Sequence, residues 1–180
     1  MSSKTEVRKR VKARLSLMTA EERAAKSEII ASRLLSSPEY ASSRSIFFYH
    51  SDPREADTHR LIDRALAEGK KVFLPRVEGE EMVLVPYRQG DLLRKGVFDV
   101  LEPQGERTEE APDLAVIPLV AFDRTCARLG RGKGYYDRFL SSYRGTSVAL
   151  AFAEQEEETL PTEDGDRRPD VIITDKERIE

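Results

Sequence analysis

The chain has 180 residues, 35% of them charged and 39% apolar, with a formal net charge of −3, one cysteine and two histidines. That length suits a single domain over residues 1–180 with a sizeable core, and the charge balance argues against a general nucleic-acid binder. No apolar run approaches the ~18 residues of a membrane span, no apolar segment follows the basic start as in a secretory leader, and a lone Cys126 fits a reducing cytoplasm, while Cys126 with His50 and His59 are too few for a dedicated transition-metal site.

Residues 4–18 predict a helix, with Val7, Val11, Leu15 and Met18 as its apolar stripe. Lys4, Arg8 and Lys12 form a row on a neighbouring face, which by itself reads as a solvated face. Thr19-Ala20-Glu21-Glu22 has the form of a capping box, so a second helix starts there, buries Ile29, Ile30 and Leu34, and ends at Pro38. Ile46-Phe47-Phe48-Tyr49 predicts a buried strand, followed by a polar loop over residues 50–56. Asp57 or Thr58 then caps a helix through Leu61, Ile62, Ala65 and Leu66, stopped by Gly69. Residues 71–75 predict the next strand. This is a βαβ unit, with parallel strands and a right-handed crossover. Ligands in open α/β sheets gather beyond the carboxyl ends of such strands, which makes His50, Glu55 and Arg76 candidates by position.

Residues 82–86 predict a further strand, 91–95 a short helical turn, 96–103 a loop or edge segment, and 104–112 a polar surface loop. The near-continuous apolar run over residues 114–120 suits a central parallel strand. Strands are also expected at 147–152 and 171–174. Alternating strands and helices imply an α/β fold with a mainly parallel sheet flanked by helices.

Between the strands at 114–120 and 147–152 lies the stretch Arg128-Leu129-Gly130-Arg131-Gly132-Lys133-Gly134-Tyr135-Tyr136-Asp137-Arg138. Three glycines alternate with two basic residues, and a helix is expected over residues 133–144. Glycine permits positive φ and close backbone approach to a ligand. A helix starting there turns free N–H groups and its positive dipole end toward that ligand. Arg131 and Lys133 add full charges, so the pattern asks for a polyanion such as a nucleotide triphosphate tail. It is not a Walker A loop, which would need glycine where Ala127 stands and Ser or Thr where Gly134 stands. Nor is it a dinucleotide fingerprint, since the spacing is G-x-G-x-G rather than G-x-G-x-x-G. Tyr136, Phe139, Leu140 and Tyr143 recur at helical spacing and predict a core-facing stripe. Tyr135 and Asp137 flank it, the first able to offer a flat face to a ring, the second a carboxylate to a cation.

Leu129-Gly130-Arg131-Gly132-Lys133-Gly134-Tyr135-Tyr136-Asp137, preceded by Pro118-Leu119-Val120-Ala121-Phe122-Asp123, resembles the 5-formyltetrahydrofolate cyclo-ligase family, also called 5,10-methenyltetrahydrofolate synthetases. The resemblance implies a NagB/RpiA/CoA-transferase-like fold and ATP- and Mg²⁺-dependent closure of 5-formyltetrahydrofolate to 5,10-methenyltetrahydrofolate. It implies ATP contacts from Lys4 and Arg8, which match a Lys-x-x-x-Arg pattern on the first helix. It extends those contacts to Arg128, Gly130, Arg131, Gly132, Lys133, Gly134, Tyr135 and Tyr136, with catalytic roles for Lys133, Arg131 and Tyr135. Folate contacts fall to His50, Glu55, Arg131 and Tyr135, and magnesium to Asp137 and Asp166. The partner is a small molecule, with neither nucleic acid nor membrane involved, and the expected state is a cytoplasmic monomer or weak dimer. Ala151-Phe152-Ala153-Glu154-Gln155 also matches a family Ala-Phe-x-x-Gln. One departure stands out: Leu160-Pro161-Thr162-Glu163-Asp164-Gly165-Asp166 has Gly165 where the family often has histidine. The alternatives are a non-catalytic nucleotide or folate binder of the same fold, and a sugar-phosphate or acyl-CoA enzyme on a related one.

Overall fold

The computed structural model describes residues 1–180, apart from the side chain of Phe98. Helices α1 (Lys4–Leu15) and α2 (Ala20–Leu35) open the chain, and a short α3 (Pro38–Ala41) leads into β1 (Ser45–Phe48), α4 (His59–Ala67), β2 (Lys71–Glu78) and β3 (Glu81–Tyr87). A small hairpin of β4 (Leu93–Lys95) and β5 (Leu101–Pro103) precedes β6 (Leu114–Ile117). A second hairpin, β7 (Ala121–Phe122) with β8 (Arg128–Leu129), leads to α5 (Tyr135–Ser142), and β9 (Thr146–Leu150), β10 (Val171–Ile173) and β11 (Arg178–Ile179) complete the chain.

Seven strands make one sheet in the order β11-β10-β9-β6-β1-β2-β3. The five inner strands run parallel, and β3 and β11 close the edges antiparallel. Period-two alternation divides the core. Ile46, Phe48, Val72, Leu74, Val116 and Val148 face a layer that includes Ile30 and Leu34 of α2 and Leu61, Ile62 and Ala65 of α4. Phe47, Phe73, Ala115, Ile117 and Ala149 face the other way, against Tyr136, Phe139, Leu140 and Tyr143. Helix α1 adds a smaller cluster, with Val7 and Val11 packed on Ala121, Ala127, Leu129 and Leu160.

The chain leaves β1 toward β2 on one side and leaves β6 toward β9 on the other, so the loops after β1 and β6 diverge. That switch point opens a crevice at the carboxyl ends of the strands.

Several local expectations change. Residues 93–95 are strand β4, not a helical turn, because their backbone pairs with residues 101–103. Pro38 does not simply end α2; that helix stops at Leu35, and Pro38 sits in the first turn of α3, whose N-cap Ser37 accepts the Tyr40 N–H at 3.2 Å. Proline suits that place because its missing N–H would have been unpaired anyway. The strand over 114–120 ends at Ile117, since Pro118 has no N–H for the ladder and the Leu119 and Val120 carbonyls accept from Gln155 Nε2 at 2.9 and 3.1 Å. Residues 121–129, for which the sequence predicts no element, form the β7–β8 hairpin. Buried Asp123 shapes it by accepting N–H groups of Thr125, Ala127 and Leu160.

Candidate active site

The crevice is an open cleft of about 830 Å³, solvent at its mouth included. Its walls come from the loop after β1 (His50, Glu55), the turn after β6 (Pro118 to Val120), the glycine stretch and the start of α5. The β2–β3 edge and the β4–β5 hairpin add Pro75, Val77, Met82, Val97 and Val100, an apolar side that suits a flat ring system.

The glycine stretch is built as its sequence asks. Gly132 has φ 109° and Gly134 φ 74°, and Gly134 is the N-cap of α5. Gly130 is needed for a different reason: a Cβ there would lie 3.2 Å from an Arg128 guanidinium nitrogen. The free N–H groups of the first turn of α5 thus begin directly at the cleft.

Arg128 is the most informative side chain. It is only 6% exposed, and its Nε donates to the Pro118 carbonyl at 2.7 Å. Its guanidinium lies 5.2 Å from the Tyr136 ring centroid. No carboxylate among the described residues forms an ion pair with it, and burial pushes its pKa below the ordinary arginine value. A buried cation costs several kcal/mol unless an anion compensates it. Arg128 lines the cleft, and the charges of Asp137, Glu55 and Asp166 offset its burial only through space, so its guanidinium is placed to meet an anion there.

Other cations gather at the same place. Arg8 reaches from α1 and donates through Nε to the Gly130 carbonyl at 2.8 Å, with its guanidinium packed beside Gly132. Lys133 lines the cleft as an exposed ammonium without an ion-pair partner among the described residues. Arg131 pairs with Asp52 and lies 3.6 Å from the Glu55 carboxylate. Lys4 lies outside the cleft wall and binds the Asp166 carboxylate at 2.8 and 3.0 Å.

Glu55 enters the cleft from residues 49–58, a loop tied at its neck. There Ser51 N–H donates to Thr58 Oγ1 at 3.0 Å, and Thr58 N–H returns to Ser51 Oγ at 2.9 Å. Burial, with the negative charge of Asp52 second, pushes the Glu55 pKa up to about 7, against the opposing pull of Arg131. His50 stacks on His59 with centroids 4.2 Å apart, and burial holds its pKa at about 4. It is therefore a neutral hydrogen-bonding group at pH 7. Tyr135 stands half-buried on the wall, with the Arg138 guanidinium 5.2 Å from its ring.

Asp137 lines the cleft and accepts the Arg167 N–H at 3.0 Å, which brings it beside the turn that carries Asp166. Asp166 borders a smaller polar pocket on the far side of Arg128. No group of three or more His, Cys, Asp or Glu suited to a metal ion exists among the described residues. Two aspartates alone give an incomplete but chemically suitable set for Mg²⁺, which takes few protein carboxylates and completes its shell with phosphate and water. A Cβ at Gly165 would meet nothing within 4 Å. A side chain could therefore start at this position without a clash at its first atom.

Ten of the predicted site residues line the one cleft: His50, Glu55, Arg128, Gly130, Arg131, Lys133, Gly134, Tyr135, Tyr136 and Asp137. Arg76 does not. It is turned to Glu78 and to the carbonyls of Pro103 and Gly105, so it braces the β4–β5 hairpin. The sequence reading missed Asp52 and also Glu102, whose carboxylate lies in the cleft wall and accepts the Val77 N–H at 2.9 Å. Neither belongs to a periodic pattern or motif. Only a glycine at position 96 hints at Glu102, because that side chain crosses where a Cβ would stand.

The model of the 5-formyltetrahydrofolate cyclo-ligase family matches residues 1–175. The chain belongs to this family. As a cyclo-ligase it is similar to the mouse 5-formyltetrahydrofolate cyclo-ligase, 31% identical with 96% of this chain and 93% of that protein covered. It is similar also to the Escherichia coli K12 enzyme of the same name, 29% identical with 91% and 96% covered. The solved 5,10-methenyltetrahydrofolate synthetase of Aquifex aeolicus superposes with a TM-score of 0.87 at 38% identity, covering 98% of this chain and 91% of that one. The synthetase from Mycoplasma pneumoniae, at 21% identity and a TM-score of 0.77 over 97% and 99%, shares the fold. The α/β architecture of this cyclo-ligase is thus that of the methenyltetrahydrofolate synthetases. No helix among the described residues is long and apolar enough to cross a membrane.

Proposed function

We propose that this cyclo-ligase converts 5-formyltetrahydrofolate to 5,10-methenyltetrahydrofolate with ATP and Mg²⁺, releasing ADP and phosphate. It acts as a single domain in the cytoplasm, as a monomer or weak dimer. The observation that carries the reading is the buried Arg128 cation, unpaired by any carboxylate, in one cleft with Glu55. One half of the cleft calls for phosphate, the other for a ring bearing N–H donors.

A formamide oxygen is a poor leaving group. It attacks the γ-phosphorus, an O–P bond forms, and the bond to ADP breaks. N10 then attacks the activated carbon and gives up its proton. The C–O bond breaks, phosphate departs with the electron pair, and the five-membered ring is closed. Phosphoryl transfer depends mainly on positioning and on charge neutralisation. Arg8, Arg128, Arg131 and Lys133, with the first N–H groups of α5, supply that charge in a partly dry site, and Lys4 adds to it from α1. Held by Asp137 and Asp166 together with phosphate oxygens and water, Mg²⁺ would neutralise further phosphate charge. The Glu55 carboxylate accepts N–H groups of the pterin edge, His50 contacts the ring as a neutral imidazole, and Tyr135 lines the folate.

The test is near-ultraviolet absorbance of purified protein with 5-formyltetrahydrofolate and Mg-ATP. Absorbance of the methenyl product should grow only in the complete mixture. A flat trace from folded protein, or growth without ATP, would refute the reading.

A further inference from the structure

Asp52 does not line the cleft, yet it joins the cleft's two halves. Its carboxylate pairs with the Arg131 guanidinium of the glycine stretch, and its side chain is only 12% exposed there. It also accepts the Arg54 N–H at 2.8 Å, and its own N–H donates to the Glu55 carboxylate at 2.9 Å. The Glu55 N–H closes the turn onto the Asp52 carbonyl at 3.1 Å. With the Ser51–Thr58 neck, the turn carrying Glu55 is a stiff unit, and Arg131 reaches across to it from the glycine stretch.

An arginine fork has five N–H donors. Asp52 engages one terminal nitrogen, while Arg131 still lines the cleft. A phosphate bound in the cleft therefore meets the same guanidinium that Asp52 holds. We propose that Asp52 is a positioning residue that couples the nucleotide and folate subsites, by holding Arg131 between the phosphate cradle and the turn carrying Glu55. This rests on the function proposed above. A long arginine side chain loses rotamer freedom when it is fixed. Asp52 has already met that cost in the ligand-free chain, so phosphate on Arg131 acts on the turn carrying Glu55 through a preset contact, and by linkage folate acts back on phosphate by the same factor.

Asp52 also acts on Glu55 through charge. Glu55 is faced by Asp52 and Arg54 from its own loop, by Tyr49 at the end of β1, by Arg128 and Arg131, and by Tyr136 of α5. Removing the Asp52 charge takes away repulsion and releases both Arg131 and Arg54, whose guanidinium groups share the Asp52 carboxylate, to the field of Glu55. Both changes favour the Glu55 carboxylate over its protonated form.

The experiment measures the dissociation constant of 5-formyltetrahydrofolate with and without the imido analogue of ATP plus Mg²⁺, from pH 6 to 8, with folding checked by circular dichroism. In the unaltered chain the analogue should tighten folate about fivefold or more. In Asp52→Asn this factor should fall below about twofold, and the pH midpoint of folate binding should drop by roughly half a unit or more. Asp52→Glu keeps the charge on a longer arm, so it should hold the midpoint while weakening the coupling; it carries the test alone if Asp52→Asn does not fold. Coupling absent from the unaltered chain, or kept in both variants, would overturn the proposal. So would an equal loss of both affinities with coupling and midpoint unmoved, the mark of packing alone. Failure of the unaltered chain to bind either ligand would instead overturn the proposed function, and this inference with it.

Discussion

The carboxylate of Asp137, in the first turn of α5, accepts the backbone N–H of Arg167 at 3.0 Å. Residues 30 positions apart are thereby fixed side by side, and Asp166 comes next to the mouth of the glycine stretch. Asp137→Asn keeps an acceptor for that N–H but loses the charge. Its dependence on Mg²⁺ should shift about tenfold or more toward higher concentration, within the range seen when groups around a metal are altered. Folate binding without nucleotide should stay unchanged. Turnover against Mg²⁺ concentration, with a parallel folate titration, checks both; an unmoved Mg²⁺ curve would remove Asp137 from the metal's shell.

Arg128→Met separates binding from folding. The substitution removes a buried cation that has no ion-pair partner, and replacing buried charge by apolar volume is often neutral or stabilising. Against this stands the loss of one hydrogen bond to Pro118, about 1 kcal/mol. The melting temperature of the ligand-free variant should therefore change by only a few degrees, whereas ATP affinity should fall at least about tenfold, as for a lost charge-assisted contact. Thermal melts and nucleotide titration read the two effects. A collapse in stability with ATP binding intact would mean that Arg128 serves the fold alone.

Glu55 gives a pH dependence with a defined sign. Its folded pKa of about 7 is raised above the ordinary carboxylate value, so the folded state favours the protonated form. Stability from this group is complete at about pH 4 and is lost as pH rises to about 7. Glu55→Gln should therefore stabilise the empty protein by about 1–3 kcal/mol at pH 8 and leave it nearly unchanged at pH 4. Function runs the opposite way. On the proposed role folate binds the carboxylate form, so affinity should tighten as pH rises through about 7 in the unaltered chain and be weak and flat with pH in the variant. Denaturant melts and folate titrations at both ends of the range test the pair of signs.

Lys133 is exposed, unpaired among the described residues, and set on the cleft wall. Lys133→Ala should leave the melting temperature unchanged and lower turnover by about 10²- to 10³-fold, the cost of removing one transition-state charge contact. Steady-state kinetics with saturating ATP and folate decide this. Turnover equal to the unaltered chain would exclude Lys133 from the chemistry.

The local pattern of the chain was legible early. The alternation of strands and helices, the βαβ unit over β1, α4 and β2, and the stripe of Tyr136, Phe139, Leu140 and Tyr143 all follow from periodicity, which acts between neighbours. The glycine stretch was legible for a similar reason, because positive φ at Gly132 and Gly134 is a property of the residue type. Short or edge elements were not. Residues 93–95 become a strand only because residues 101–103 lie across from them, and Arg76 turns from the cleft because Glu78 and two carbonyls of residues 103 and 105 hold it.

Sequence alone thus determined the fold class, the order of the main strands and helices, and the set of cations and glycines that suits a polyanion. Tertiary structure decided how those groups are divided. Arg128 is buried without a direct ion pair among the described residues, Lys4 is taken by Asp166, and Arg131 is held by Asp52 across 79 positions of chain. Charge neutralisation and burial depend on which distant segments the sheet order brings together, and no spacing along one strand or helix encodes that.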